Sequence, residues 1–390
     1  MTCDPTQVFN FLPLPTDIHF GFGVVETVGE RARALGGHRA MVVSDPGIRQ
    51  AGILERIEHG LTTAGHAVAV YDGVTADSGS SQITQATALA KAHAADVVVG
   101  VGGGSALDTA KAVAAMYTNP GSPLDYVGLH RLVHRPLPTI AVPTTAGTGS
   151  EVSLWSVFTD DDRKVKVAIG SALLYPSVAV CDPELTMGLP PALTAPTGMD
   201  ALGHAIECYT NNACQPISGA LALQAIGLLG GHLRSAVLNG RQRSARYAVM
   251  LASTLAGMAM NPTRLGLAHA LAMPLGSGAL KIPHGLAVAV TLPRVMAFNT
   301  PAAVSRFADV ARALGVASQG SSVPDAAAAA AQAVRTLGED IGIPAGLSEL
   351  GLAESDIASV VKDAMTSGNV SVNPRYTTAA DMEHVLRSAL

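Results

Sequence analysis

Cysteine and aromatic residues are scarce in this chain. Its 390 residues include only 4 cysteines, Cys3, Cys181, Cys208 and Cys214, and no two of them form a CxxC pair. This count and spacing exclude a disulfide framework and are typical of a protein from the reducing cytoplasm. Phe, Trp and Tyr make up only 4% of the residues, from which we expect a substrate cavity of modest size.

Basic runs, long apolar runs and a secretory leader are also missing. The formal net charge is −5 and no Lys/Arg-rich segment occurs, so we expect no nucleic-acid partner. No uninterrupted apolar segment reaches the roughly 18 residues that a membrane-spanning helix needs. The amino terminus lacks the basic start and apolar run of a signal peptide. We therefore expect a cytoplasmic protein without a membrane partner.

The pattern of the sequence changes near residue 187. Before that point, short β-branched runs alternate with alanine-rich helical patterns, which is typical of a parallel sheet covered by helices on both faces. The predicted strands are residues 39–44, 67–71, 96–101, 138–142 and 177–181. After Pro190 and Pro191 the strand pattern stops, and helices follow with predicted breaks at Asn239-Gly240, Asn261-Pro262, Ile282-Pro283 and Ile343-Pro344.

Two domains are expected for a chain of this length. The predicted fold class is α/β, with an amino-terminal parallel-sheet dinucleotide-binding domain followed by an all-helical domain. We place the first domain at residues 1–187 and the second, which would hold metal and substrate, at residues 188–390.

A carboxylate and an imidazole, Asp200 and His204, lie four residues apart and would project from the same face of a helix. His269 and His284, from later segments, would complete a set of one oxygen and three nitrogen ligands. Such a set suits Fe²⁺ or Zn²⁺ and suits Ca²⁺ or Mg²⁺ poorly. Each residue alone is common in ordinary helices, so the hypothesis depends on the four together.

A glycine turn follows the predicted strand at residues 96–101. Glycine lets the backbone approach a pyrophosphate without obstruction from Cβ, and Ser105 is expected to be the N-cap of the next helix. The turn consists of Gly102, Gly103, Gly104 and Ser105. A tight strand-to-helix turn without a ligand is an alternative interpretation.

Two further features are typical of nucleotide binding. Thr144 and Thr145 follow another strand and could hydrogen-bond a phosphate or a ribose. Asp45 lies at the carboxyl end of a strand, where an acid can accept a hydrogen bond from a ribose 2′-hydroxyl and would repel a 2′-phosphate. The sequence therefore favours NAD over NADP. Asp45 precedes the glycine turn, so this is not the usual GxGxxG arrangement.

These segments resemble the iron-dependent (group III) alcohol dehydrogenases. The similarity lies in residues 102–111, 143–151, 181–185, 198–207 and 282–285, and it continues in the tail at 341–344 and 373–375. It covers nearly the whole chain. The resemblance implies iron, with zinc as the other possibility, and it implies NAD.

Site residues can be carried over from the family position by position. The implied metal ligands are Asp200, His204, His269 and His284. The implied cofactor-binding residues are Asp45, Gly102, Gly103, Gly104, Ser105, Asp108, Thr144, Thr145 and Lys166. A family contact near the adenosine would fall on residues 77–79, where the pattern does not match. The family also implies a homodimer, with an edge hairpin at residues 18–25.

Met273 is the main departure from the family. Many members carry a further histidine four residues after the third metal ligand, where it is thought to help move the alcohol proton. Methionine cannot relay a proton, so either water and the cofactor ribose provide the route or the chain acts on a different substrate. A third alternative is that the histidine is dispensable and Met273 only shapes the pocket. The spacing from His269 to His284 is also one residue longer than the commonest pattern.

The predicted activity is hydride transfer between NAD(H) and a small primary alcohol or aldehyde. A divalent metal supports this chemistry because it lowers the pKa of an alcohol and polarises a carbonyl group. A hydroxyacid-oxoacid transhydrogenase and a reductase of an acidic aldehyde stay open as alternatives. A lyase similar to dehydroquinate synthase is disfavoured, because residues 187–300 have few basic groups near the ligand segments.

Overall fold

The computed structural model describes residues 8–11, 14–318 and 320–390. Contacts divide the chain into two compact units. One unit is Leu14–Gly188, and the other contains Leu189–Leu390 together with residues 8–11. Residues 8–11 thus group with the helical unit rather than with the first domain, where the sequence pattern placed them. Cys3 and most of the amino-terminal segment, on which the expectation of no signal peptide was based, lie outside the described residues.

The first unit is built on nine strands in two sheets. The strands are β1 (Asp17–Phe20), β2 (Arg39–Val43), β3 (Ala67–Tyr71), β4 (Val97–Gly102), β5 (Gly128–Leu129), β6 (Thr139–Pro143), β7 (Trp155–Asp160), β8 (Val165–Gly170) and β9 (Val178–Cys181). Six of them form a sheet in the order β1-β9-β6-β4-β2-β3, in which every pairing is parallel. Each of the five predicted strands is present within one or two residues of its expected position.

Helices cover both faces of this sheet. They are α1 (Val28–Ala34), α2 (Pro46–Gln50), α3 (Ile53–Thr63), α4 (Ser80–Ala92) and α5 (Gly104–Thr118). Alternate residues of β4 face opposite layers: Val97 and Val99 pack in a cluster with Ile57 of α3, whereas Val98 packs with Ala110 of α5. Burial on both faces explains why the strand sequences are continuously apolar rather than alternating.

The smaller sheet was not predicted. It has the order β5-β8-β7, with β7 and β8 antiparallel. Polar residues, namely Ser156, Thr159 and Asp160, interrupt the apolar residues of β7, and its residues alternate between half-buried and buried. Continuous apolar runs were the basis of the strand predictions, and a strand of period two does not form such a run.

The predicted edge hairpin at residues 18–25 was wrong in part. β1 is indeed an edge strand, paired only with β9 in the described chain. Residues Val24–Thr27, however, form a 3₁₀ helix instead of a returning strand. The backbone turns at Gly21 and Gly23, which have positive φ angles of 144° and 84°.

The second unit contains helices and no strand in its described residues. Its helices are α6 (Pro191–Thr210), α7 (Pro216–Leu238), α8 (Arg243–Thr263), α9 (Leu267–Leu275), α10 (His284–Asn299), α11 (Val304–Ala313), α12 (Val323–Asp340), α13 (Ile357–Ala364) and α14 (Ala379–Arg387). The parallel sheet and this helical region confirm the predicted fold class.

Helix α6 is the centre of the second unit. It packs against α7, α8 and α10, and nearly all of its residues after Leu193 are buried. The predicted break at Asn261-Pro262 lies within two residues of the end of α8 at Thr263, although Pro262 itself is still helical. Helix α7 is long and apolar enough to cross a membrane by length and composition alone. A core helix of a soluble protein meets the same criterion, and α7 packs against α6 and α8.

Candidate functional site

Helix α6 presents Asp200 and His204 on one side, one turn apart. Both side chains are buried, with 4% and 5% of the residue surface exposed. The Nε2 atom of His204 lies 4.0 Å from Oδ1 of Asp200. Burial of a carboxylate is unfavourable unless it is compensated, so this acid requires partners of positive charge.

Two later helices bring imidazoles to the same carboxylate. His269, on α9, places Nε2 3.4 Å from Asp200 Oδ1, and His284, the first residue of α10, places Nε2 3.6 Å from the same oxygen. The rings of His204 and His269 are stacked with centroids 4.5 Å apart. The structure thus brings together all four residues that the sequence predicted as metal ligands.

Three of these residues form the tightest group. The candidate ligand atoms of Asp200, His269 and His284 all lie within 4.8 Å of one another. His284 is the most accessible of the four, with 30% of its side chain exposed. An open side of this kind is what a substrate needs in order to reach a metal.

The charges within this cluster are strongly coupled. Burial opposes the ionised form of Asp200, but the neighbouring imidazoles outweigh burial and hold its pKa well below the usual range. Burial likewise opposes protonation of His269, but the carboxylates of Glu207 and Asp200 outweigh it and raise its pKa to about 9. A carboxylate that stays ionised is the state in which it binds a cation.

Two atoms in the cluster lack hydrogen-bond partners. They are Oδ1 of Asp200 and Nε2 of His269, and both are buried. Buried polar atoms without partners are rare in folded proteins, because each one loses its hydrogen bonds to water without replacement. A bound cation would satisfy both atoms. One carboxylate oxygen and three imidazoles match the donor preferences of Fe²⁺ and Zn²⁺.

Glu207 is a further buried residue of the cluster, and the sequence motifs assigned it no role. Its Oε2 atom lies 2.6 Å from Nδ1 of His269. The signal that could have revealed it is spacing, because Glu207 follows His204 by three residues and Asp200 by seven and so shares their face of α6.

Met273 is half-buried on α9, and its carbonyl oxygen accepts a hydrogen bond from Ser277 Oγ.

In the first unit, the glycine turn joins β4 to α5 as predicted. Gly102 has a φ of 145°, which side-chain-bearing residues rarely adopt, and a Cβ added there would lie 2.7 Å from Cβ of Ala106. The predicted N-cap at Ser105 was wrong. The helix begins at Gly104, its N-cap is Gly103, and no side chain caps it. A glycine N-cap leaves the first-turn N–H groups uncapped by protein side chains, as anion binding requires.

Asp45 lies beside this turn. Its Oδ1 atom caps α2 by accepting hydrogen bonds from the N–H groups of Gly47 and Ile48, at 2.9 and 3.1 Å. Its Oδ2 atom is 3.1 Å from the position that a Cβ on Gly102 would occupy. The predicted NAD-selecting acid and the predicted pyrophosphate turn are therefore neighbours.

The threonine loop after β6 is also next to the glycine turn, because β4 and β6 are adjacent strands. The N–H of Thr144 donates to the carbonyl of Gly102, and a Cβ on Gly103 would lie 3.5 Å from Thr145. Thr144 is buried, whereas Thr145 is partly exposed. Asp45, the glycine turn and Thr145 thus meet at the carboxyl edge of three strands, which is where open α/β sheets bind ligands.

Asp108 and Lys166 are both engaged with other residues. Asp108 lies in the second turn of α5, and its carboxylate accepts from Ser150 Oγ and from the N–H of Val157, while it pairs with Lys111 at 2.9 Å. Lys166, on β8, pairs with Asp77 at 2.7 Å. Direct cofactor contacts from Asp108 and Lys166 stay predictions.

Comparison with known proteins agrees with this arrangement. Residues 15–183 match the family model described as iron-containing alcohol dehydrogenase, and residues 194–390 match the model of the carboxyl-terminal domain of the same family. The chain is 40% identical to 1,3-propanediol dehydrogenase of Klebsiella pneumoniae over 98% of this chain and 99% of that protein.

Two further matches cover the full length. NAD-dependent methanol dehydrogenase of Bacillus methanolicus is 37% identical over 98% of this chain and 100% of that protein. The crystal structure of a 1,3-propanediol oxidoreductase superimposes with a TM-score of 0.96 at 40% identity, covering 98% of this chain and 100% of that one.

Fold and sites together define an oxidoreductase with a dinucleotide-type turn and a cluster of metal-type ligands. The chain belongs to the iron-containing alcohol dehydrogenase family. The predicted family and the predicted class of enzyme, an alcohol oxidoreductase, are confirmed. The predicted cofactors agree with the family description, which names iron, and with the Bacillus relative, which is described as NAD-dependent.

Proposed function

We propose that this enzyme interconverts a small primary alcohol and its aldehyde by hydride transfer to or from NAD(H), with a divalent metal held by Asp200, His204, His269 and His284. The unpartnered pair, Asp200 Oδ1 and His269 Nε2, carries the proposal. Neither buried atom has a hydrogen-bond partner in the described chain, and a cation would give a partner to both at once. Fe²⁺ is the metal that the family description favours, and Zn²⁺ fits the same ligands.

Such a cation, when bound, polarises a carbonyl oxygen and lowers the pKa of an alcohol, which together contribute several kcal/mol to the reaction. The chain supplies the ligand geometry. Asp200 contributes the negative charge that offsets the cation, and burial keeps competing water away from it. The partly exposed side of His284 leaves an approach for a small substrate.

Dinucleotide binding is assigned to the carboxyl edge of the sheet. The uncapped first turn of α5 and the turn Gly102–Gly104 provide N–H groups for the pyrophosphate. Asp45 has one oxygen bound to α2 and the other beside Gly102, which suits acceptance from a ribose 2′-hydroxyl. Asp108 and Lys111 support this edge indirectly, because they hold residues 150–157 against α5.

No proton relay is assigned to a side chain at position 273. The thioether of Met273 has no titratable proton, so the alcohol proton leaves through water or the cofactor ribose. Small alcohols are proposed as substrates because the matched relatives are described as acting on 1,3-propanediol and methanol. Hydroxyacid-oxoacid transhydrogenation and reduction of an acidic aldehyde are the outcomes that a substrate panel must test.

An anaerobic assay tests this function. The purified chain is stripped of metal, reloaded with Fe²⁺ or Zn²⁺, and assayed for NADH oxidation against small aldehydes, acidic aldehydes and oxo acids. We expect metal-dependent turnover of small aldehydes in the wild type, none in His284→Ala, and normal turnover in the control His384→Ala, which changes an exposed histidine of α14. Equal turnover with and without metal would refute the metal assignment, and retained NAD with oxo-acid turnover would indicate the transhydrogenase.

A cytoplasmic homodimer is the proposed physical state. Cys181, Cys208 and Cys214 are buried thiols, which suits a reducing compartment. One side of β1 has no strand partner in the described chain, and an open strand edge is a ready site for pairing with a second copy. Light scattering after gel filtration measures the mass directly, and a monomer at all concentrations would contradict the dimer.

A further inference from the structure

Glu207 is a buried acid that the proposed reaction does not use. It lies on α6, on the face that also carries Asp200 and His204, and only 4% of its surface is exposed. A buried carboxylate of this kind needs several hydrogen bonds to offset the loss of water.

Its carboxylate accepts three hydrogen bonds, all from one short segment. Oε2 accepts from the N–H of Gly266 at 2.8 Å, and Oε1 accepts from the N–H of Ala268 at 2.7 Å. The third donor is Nδ1 of His269, 2.6 Å from Oε2. Because an ionised carboxylate can only accept, Nδ1 of His269 carries a proton in this contact, and a ring that binds metal in its neutral form offers the lone pair of Nε2.

The local sequence makes this approach possible. Helix α9 begins after Gly266, and no side chain of its own N-cap occupies the first-turn N–H groups. The carboxylate from α6 takes that place, where the positive end of the helix dipole also stabilises it. Gly266 leaves the space for it, since a Cβ at this position would lie 2.8 Å from Oε1 of Glu207.

The orientation of His269 follows from these contacts. With Nδ1 bound to Glu207, Nε2 on the other side of the ring lies 3.4 Å from Asp200 Oδ1 and has no hydrogen-bond partner. Of the three hydrogen bonds that Glu207 accepts, the one from Nδ1 of His269 is the one that comes from a candidate metal ligand.

We propose that Glu207 is a positioning residue for the metal site: it fixes the ring of His269 and presents Nε2 as the metal-binding nitrogen. This inference depends on the proposed metal site. Outer carboxylates bound to a ligating histidine raise the basicity of the ligand, and their loss typically weakens metal binding by about 10- to 100-fold.

The alternative is a purely structural role as a cap of α9. Removal of a cap lowers the melting temperature but leaves the affinity for metal and the geometry of bound metal unchanged. Co²⁺ separates the two roles, because its visible d–d absorption reports the ligand geometry, and competition with a chelator gives its dissociation constant.

The experiment titrates metal-free, full-length protein with Co²⁺ under anaerobic conditions. We expect Glu207→Gln to bind Co²⁺ about 10- to 100-fold more weakly than the wild type, with a shifted absorption spectrum. The matched control is Asp309→Asn, on α11, whose carboxylate accepts a hydrogen bond at 2.6 Å from Tyr209 of α6, the helix that carries Glu207. This control should keep the wild-type affinity and spectrum.

Gly266→Ala provides a second test that retains the charge, because the added Cβ displaces the carboxylate from the segment. It decides the matter if circular dichroism shows that Glu207→Gln is unfolded. If a folded Glu207→Gln or Gly266→Ala variant binds Co²⁺ with the wild-type affinity and spectrum, the role of Glu207 is overturned and the proposed metal site is not. Failure of the wild type to bind Co²⁺ would overturn the proposed metal site together with it.

Discussion

Oδ1 of Asp200 and Nε2 of His269 lie 3.4 Å apart, both buried, and neither has a hydrogen-bond partner. The two residues are 69 positions apart in the sequence and reside on different helices, α6 and α9. A bound cation would give each of these two atoms a partner and would make them a pair of ligands. The first predictions concern this pair and its neighbours.

Asp200→Asn should abolish metal binding and activity together while the fold is retained. The amide has almost the shape of the carboxylate but cannot offset the charge of a cation. We expect metal affinity to fall by more than the roughly 100-fold that is seen when a residue hydrogen-bonded to a metal ligand is replaced. Metal per chain from elemental analysis and NADH oxidation measure the effect, and Asp340→Asn, an exposed acid paired with Arg234, is the control. A metal-loaded, active Asp200→Asn enzyme would falsify the assignment.

Metal loading should raise the melting temperature. A ligand that binds only the folded state at 100 times its dissociation constant stabilises it by about 2.7 kcal/mol. For a unit of about 200 residues this corresponds to a rise of roughly 5–10 °C. Calorimetry of the protein with Zn²⁺, and again after a chelator, measures it. His284→Ala should show little of this rise. If Zn²⁺ leaves the melting temperature of the wild type unchanged, the proposed metal site is contradicted.

Asp45→Asn should relax the preference for NAD. Asparagine caps α2 as well as aspartate does, so stability is preserved, but the charge that repels a 2′-phosphate is lost. The repulsion between Asp45 and the 2′-phosphate is about 1 kcal/mol or more. Its removal should lower the ratio of kcat/KM for NADH to kcat/KM for NADPH by at least about fivefold. Steady-state kinetics with both cofactors tests this. A wild type that prefers NADPH would contradict the role of Asp45.

Asp161 should stabilise the first unit in a pH-dependent manner. It lies in the turn between β7 and β8 and accepts hydrogen bonds from the N–H of Ser81 and from Ser80 Oγ, at the uncapped start of α4. These bonds lower its pKa in the folded state. We expect Asp161→Ala to reduce the free energy of unfolding by about 1 kcal/mol at neutral pH.

The sign of the pH effect follows from linkage. A lowered folded-state pKa contributes stability above the unfolded value, near pH 4, and that contribution disappears as the pH falls through the folded value. Urea unfolding at neutral and acidic pH should therefore show the variant and wild type converging in acid. Asp162→Ala, which changes an exposed acid of the same turn, is the control. A difference that is independent of pH would exclude the carboxylate as its source.

Much of the fold was predictable because its signals are local. Continuous β-branched runs such as residues 97–101 identified the central strands, and the doubled proline at 190–191 marked the start of the helical region. The four candidate metal ligands were also identifiable from the sequence alone, through a spacing of four residues on a helix and the resemblance to a family.

The features that were missed depend on contacts between distant residues. Ser105 looked like an N-cap by residue type, but the helix begins at Gly104, where an added Cβ would meet Thr148 of a distant loop at 2.7 Å. The partners of the Asp108 carboxylate, Ser150 and Val157, lie more than 40 positions away in the sequence, while a direct cofactor contact of Asp108 stays a prediction. No local pattern reveals such partners.

The sequence by itself determined the class of this protein, since apolar periodicity, the glycine turn and the spacing of Asp200 and His204 are each set within a few residues. Only the tertiary structure decided how the ligand set is held. A buried imidazole has two nitrogens and no intrinsic preference as to which one faces a neighbour. Glu207 precedes His269 by 62 positions in the sequence, and the fold brings the two side chains together. The hydrogen bond between the Glu207 carboxylate and Nδ1 of His269 determines which ring nitrogen faces Asp200.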